Sequence, residues 1–124
     1  MIPSKKTHIG SRIRSFGFAM RGIAVTFKGQ VNFRIHIFIA ICVITTGFIL
    51  NINSLEWVVI LLTIAMVLSL EAMNTALEHL VDLVSPTHHE MAGKVKDIAA
   101  GAVLIGAIAA AAIGIIIFGQ KLLT

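Results

Sequence analysis

Charge is scarce in this sequence. Acidic and basic residues together make up 13% of 124 positions, about half the share of a water-soluble domain. That excludes a chain solvated on every side. Hydrophobic residues reach 57% and mean hydropathy is +0.95, so residues 1–124 are read as a single integral-membrane domain. Acid is missing altogether ahead of Glu56, whereas Lys5, Lys6, Arg12, Arg14, Arg21, Lys28 and Arg34 supply seven of the ten basic residues. Such a tail would suit nucleic acid if it stood alone. Here it leads straight into hydrophobic spans, which sets nucleic acid aside and favours a membrane surface. The lone cysteine, Cys42, excludes an intrachain disulfide, and its apolar neighbours predict a buried structural thiol. A phosphate-binding G-x-x-x-x-G-K-S/T loop is absent, as is a G-x-G-x-x-G following a strand, so no standard nucleotide-binding fold is expected. Nor is a cleaved signal, because basic residues recur up to Arg34 where an apolar core would be needed.

What is present reads as helices. Residues 1–9 are polar and expected to fray. From 11 to about 28, Ile13, Phe16, Met20, Ile23 and Phe27 recur every three or four positions, with Arg14, Arg21 and Lys28 alongside. This predicts an amphipathic helix lying in the membrane interface, its basic side chains snorkelling toward anionic headgroups. A break is expected from Gly29 to Arg34. A first span covers about 35–50, with His36 read as an interfacial residue rather than a ligand. Trp57 opens the second span, about 57–84, as an interfacial aromatic anchor, and Ser85-Pro86 closes it. The third covers about 91–118 and carries small residues at 102, 106, 110 and 114, a spacing suited to close helix contact in lipid. Basic residues flank the N-terminal segment and the Ser85–Lys96 connection, whereas the 51–56 loop has none. The positive-inside rule therefore predicts a cytoplasmic N-terminus.

The second span holds the chemistry. The apolar run Val58–Leu70 continues directly into Glu71, Asn74, Glu78 and Asp82. These four lie on one helical face, spread over about 16 Å of axis. Ionisable groups at membrane depth are costly and persist mainly where they line a polar site. Glu71 and Glu78, read as unpaired carboxylates, are about 10 Å apart along the helix, too far to grip one metal ion jointly. A division of labour follows. Glu71 is the deeper, and loss of water makes a carboxylate a stronger base; Glu78 lies where a phosphate-bound cation could be held. Lys96 and Asp97 reach the same level from the next helix. Lys96 either neutralises a transferring phosphoryl group or pairs with Glu78 or Asp82 to tie two helices together. His88 and His89 are adjacent, which is poor spacing for one metal, and neither Ser69 nor Ser85 has an evident activating partner.

These residues carry a resemblance. Glu71-x-x-Asn74-Thr-Ala-x-Glu78-x-x-Val81-Asp82, then His89, then Ala92-x-x-x-Lys96-Asp97-x-Ala99-Ala100-x-Ala102-Val103 resembles the small prokaryotic integral-membrane lipid kinases, the diacylglycerol and undecaprenol kinases. Ser15-Phe16, Arg21-Gly22 and Asn32-Phe33-Arg34-Ile35-His36 extend the likeness over nearly the whole chain. Leu83-Val84-Ser85-Pro86 and Asn32–His36 look more like the undecaprenol branch. The resemblance implies an all-α homotrimer of three-span subunits with a surface helix, transferring the ATP γ-phosphoryl group to a membrane lipid alcohol with Mg2+. It implies Glu71 as general base, Asn74 positioning the phosphoryl group or acceptor, Glu78 on the metal, Lys96 and Asp97 on ATP phosphates, and His89 near the base of ATP. Two positions depart from the pattern. Gln30 stands where a second metal-binding glutamate is usual, and Phe18 where a hydroxyl-bearing aromatic is common near the nucleotide. The acceptor is expected to be undecaprenol; rival readings are the same chemistry on diacylglycerol, a non-catalytic membrane assembly protein and a small proton-coupled transporter.

Overall fold

Residues 8–124 are described by the computed structural model, and over that range the chain is all-helical. Residues 1–7, most of the stretch expected to fray, lie outside the described residues; His8 and Ile9 are already helical. The elements are α1 (His8–Gly29), α2 (Val31–Ile49), α3 (Ser54–Val84) and α4 (Glu90–Leu123). The last three are each long and apolar enough to cross a membrane.

Two helices begin earlier than their apolar runs, because polar residues cap them. Asn53 Oδ1 accepts from the Glu56 N–H at 2.9 Å while Glu56 Oε1 accepts from the Asn53 N–H at 3.0 Å. This reciprocal cap draws residues 54–56 out of the loop and into α3. At α4, His89 Nδ1 accepts from the Met91 N–H at 3.1 Å. The break expected from Gly29 to Arg34 shrinks to Gln30 alone, an extended residue between α1 and α2. Arg34 is the reason. It sits in the first turn of α2, and its Nη1 donates to the carbonyls of Phe27 and Lys28, both at 3.0 Å. Those carbonyls lack helical partners at the end of α1, so a side chain rather than a loop secures the corner.

α3 and α4 run antiparallel in constant register. Lys121 Nζ lies 3.4 Å from Glu56 Oε1 at one end, Leu70 covers Gly106 in the middle, and Lys96 Nζ meets Asp82 Oδ1 at 2.6 Å at the other. Length then decides what protrudes. α2 has 19 residues, about 28 Å, which matches a hydrocarbon layer of about 30 Å. α3 and α4 have 31 and 34 residues, about 46 and 51 Å. Their far ends are held level with the end of α2 by Ile52, Ile60 and Ile117, with Val43 and Trp57 packed around them. The surplus therefore projects past the start of α2, on the side of α1. Glu78, Asp82, Lys96 and Asp97 all lie on this projecting part.

Trp57, expected as an interfacial anchor, packs against the end of α2. Its ring packs on Phe48 with centroids 4.8 Å apart, and a Cβ on Gly47 would come within 2.8 Å of the indole. Gly106 is similarly tight, 2.7 Å from Leu70 Cδ1. A rigid indole cannot yield as a leucine tip can. Gly47→Ala is therefore expected to destabilise by about 1–3 kcal/mol and Gly106→Ala by less, read from unfolding midpoints in mild detergent.

Two expectations fail here. Of the small-residue ladder, Gly106 is pressed against Leu70 of the neighbouring helix, whereas Ala102 is exposed and Gly114 has nothing within contact of a Cβ. Cys42 is exposed, not buried. α2 is apolar nearly all round, and apolar sequence neighbours do not say whether a side chain faces protein or lipid. Phe38, Ile41, Leu62, Ile105 and Ile115 are likewise exposed, which suits helices whose solvent is a bilayer.

Candidate active site

Glu71 is only 4% exposed and is far from unpaired. Across the α2–α3 contact, His36 Nε2 lies 3.1 Å from Glu71 Oε1. Phe33 and Ala40, on the same face of α2 as His36, are buried, so close packing on either side brings the imidazole to the carboxylate. One turn along α3 the buried Thr75 donates its hydroxyl to the Glu71 carbonyl at 2.9 Å. Sequence reasoning missed His36 by treating it as an interfacial residue. The available signal was an ionisable side chain inside the apolar run 35–50, which is a functional candidate by default.

The next turn holds Asn74 and Glu78. Asn74 Nδ2 donates to Glu78 Oε1 at a long 3.4 Å. Asn74 Oδ1 is buried with no hydrogen-bond partner, a condition that costs about 1–3 kcal/mol. An oxygen left in this state beside a carboxylate offers a place for a donor or a cation. One turn further, the ammonium of Lys96 donates to Asp82 Oδ1 at 2.6 Å, so the interhelix ion pair is present. Both partners are more than a third exposed, and an ammonium has three donors. Lys96 can therefore bind Asp82 and still present N–H groups to an anion.

The other sequence-derived candidates are more scattered. His89 is exposed and borders a cleft of about 470 Å³ between the end of α3 and the start of α4, with Leu80, Val81 and Val95. Its Nδ1 is taken up by the helix cap, which leaves Nε2 for any ligand. Asp97 is exposed on the first turns of α4. Phe18 is exposed on α1 with the Arg21 guanidinium 5.5 Å from its ring centre, a cation–π contact. Gln30 is half-buried at the corner between α1 and α2. Among the described residues, no hydrogen bond or ion pair ties Phe18 or the Gln30 side chain to Glu71, Asn74 or Glu78, and no three His, Cys, Asp or Glu side chains converge as a metal site.

On the membrane side, a groove of about 720 Å³ runs between α2, α3 and α4. Val43, Ile64, Val67, Ala110 and Phe118 line it, and among the described residues His36 is the one ionisable side chain on its wall. Along α4 it extends from Ala107 to Leu122, about 22 Å. The arrangement is a long apolar trough with a buried carboxylate next to its histidine and a projecting polar edge beyond.

A family model for prokaryotic diacylglycerol kinase matches residues 17–118. The chain belongs to that family. It is 43% identical over 109 residues to an undecaprenol kinase of Bacillus subtilis, a match covering 88% of this chain and 89% of that one. It is 46% identical over 101 residues to a diacylglycerol kinase of Synechocystis, covering 81% of this chain but only 58% of the relative. A diacylglycerol kinase of Escherichia coli is 26% identical over 98 residues, covering 79% and 80%. The chain is thus a membrane-embedded lipid kinase, and kinase membership implies ATP as the phosphate donor.

Proposed function

We propose that this kinase phosphorylates undecaprenol, with Glu71 as the general base, and that it works as a homotrimer in the bacterial inner membrane with its N-terminus in the cytoplasm. The observation that carries the reading is the buried Glu71 carboxylate beside His36, at the edge of an apolar trough. A lipid lying in that trough would bring its hydroxyl to Glu71 without leaving the bilayer. The hydroxyl proton passes to Glu71 as its oxygen bonds to the γ-phosphorus. The bond from that phosphorus to the β–γ bridging oxygen breaks, and ADP departs.

Around this step the other residues take separate roles. Lys96 neutralises phosphate charge, Asp97 contacts the phosphates from the same turn, Asn74 orients the phosphoryl group or acceptor, and His89 and Phe18 border the nucleotide. α1, whose apolar residues Ile13, Phe16 and Met20 are exposed, would rest in the interface with Arg14 and Arg21 toward headgroups. Mg2+ takes hard oxygen ligands, commonly one or two carboxylates completed by phosphate oxygens. The Glu78 carboxylate and the unpartnered Asn74 Oδ1 fit that donor set, with Gln30 as a weaker third contributor. Bound there, the cation would neutralise charge developing on the transferring group. Because a carboxylate holds Mg2+ better than an amide, Gln30→Glu is expected to lower the Mg2+ concentration giving half-maximal rate. An unchanged or higher requirement removes Gln30 from the metal role.

The family description and the Synechocystis relative favour diacylglycerol as the rival acceptor. Purified protein given both lipids and labelled ATP separates the two by thin-layer chromatography. Undecaprenyl phosphate is the expected main product; a clear excess of phosphatidic acid overturns the assignment.

A further inference from the structure

His36 has no part in the scheme above, yet it is the side chain paired with the reacting carboxylate. It reaches Glu71 from a different helix, at 3.1 Å, with its own side chain 22% exposed and that of Glu71 5% exposed. At that distance two bare lone pairs would repel, so a proton must lie between them. When Glu71 is ionised, as a base must be, that proton is on Nε2.

A glutamate has three side-chain torsions, and a base must point at the hydroxyl it deprotonates. The Thr75 hydroxyl secures the Glu71 backbone carbonyl but leaves the carboxylate free to turn. Asn74 spends its amide on Glu78. Among the described residues, the one polar side chain against the Glu71 carboxylate is His36.

Accepting Glu71 as the base, we propose that His36 is its positioning residue. Its Nε2–H holds Oε1 across the α2–α3 contact, which leaves Oε2 to receive the hydroxyl proton. Its ring forms the wall where the apolar trough meets the base, so the acceptor hydroxyl passes it on the way in. His36 touches no transferred atom and acts through Glu71. Misplacing a reacting group by about 1 Å can cost about 10²-fold in rate, and that sets the scale of the effect.

The test uses the full chain in lipid-supplemented micelles with undecaprenol and ATP. His36→Leu removes the donor while keeping bulk, and kcat should fall about 10²-fold with KM for ATP unchanged. His36→Gln restores an N–H of similar reach and should recover most of the loss. Labelled with 15N-histidine, the chain should also show a shifted His36 Nε2 resonance when Glu71→Gln is introduced. This last reading needs no His36 variant to fold. Full kcat in His36→Leu overturns the proposal, as does His36→Gln no better than His36→Leu, or a resonance unmoved by Glu71→Gln. The base assignment fails separately: it falls if Glu71→Gln stays active, whereas positioning alone falls if Glu71→Gln is dead and His36→Leu is not.

Discussion

Glu71→Gln is expected to lower phosphoryl transfer about 10²–10⁴-fold, the usual worth of a positioned general base. Glutamine keeps the volume and an oxygen for the His36 N–H, so the helix contact survives while the proton acceptor is lost. Glu71→Ala would instead leave His36 facing a hole, and its inactivity could be structural. The informative outcome is therefore the glutamine variant, measured for kcat with its unfolding midpoint and size-exclusion profile alongside. A large fall in kcat with both profiles unchanged supports base catalysis. Activity within about twofold of wild type, far below the span expected of base catalysis, removes Glu71 from that role.

Lys96→Met should have the next largest effect. Losing one charge-stabilising donor commonly costs about 10²–10³-fold in kcat, and methionine keeps the length of the side chain without its charge. Two roles compete for this lysine, because it is joined to Asp82 at 2.6 Å and also stands at the projecting edge. Asp82→Asn decides between them. It weakens the same ion pair but leaves the ammonium in place, and exposed pairs contribute little to stability. Phosphate neutralisation predicts a dead Lys96→Met and an active Asp82→Asn. If both variants lose activity equally, together with their unfolding midpoints, the lysine is a helix tie.

Much of the architecture could be read from local pattern. The three spans follow from apolar run length, the end of α3 from Ser85-Pro86, and the acidic face from spacing at 71, 74, 78 and 82. What escaped was whatever depends on pairing between helices. Nothing near His36 in sequence points to Glu71, thirty-five positions away. Arg34 counts as one more basic residue until its guanidinium is seen on the Phe27 and Lys28 carbonyls. Cys42 and the small residues at 102 and 114 were misjudged for a related reason. In a helix apolar on most sides, composition does not separate the face turned to protein from the face turned to lipid. Asn74 differs again. Its position was legible, but its unpartnered oxygen appears only once its amide is turned to Glu78.

The most direct measurement is the fate of the γ-phosphate in a single turnover by the purified chain in detergent, where no ion gradient can exist. A lipid kinase should carry the label from ATP into the organic phase, one labelled lipid phosphate for each ADP formed. Label released to water as inorganic phosphate, or ATP left intact with acceptor lipid present, would contradict it.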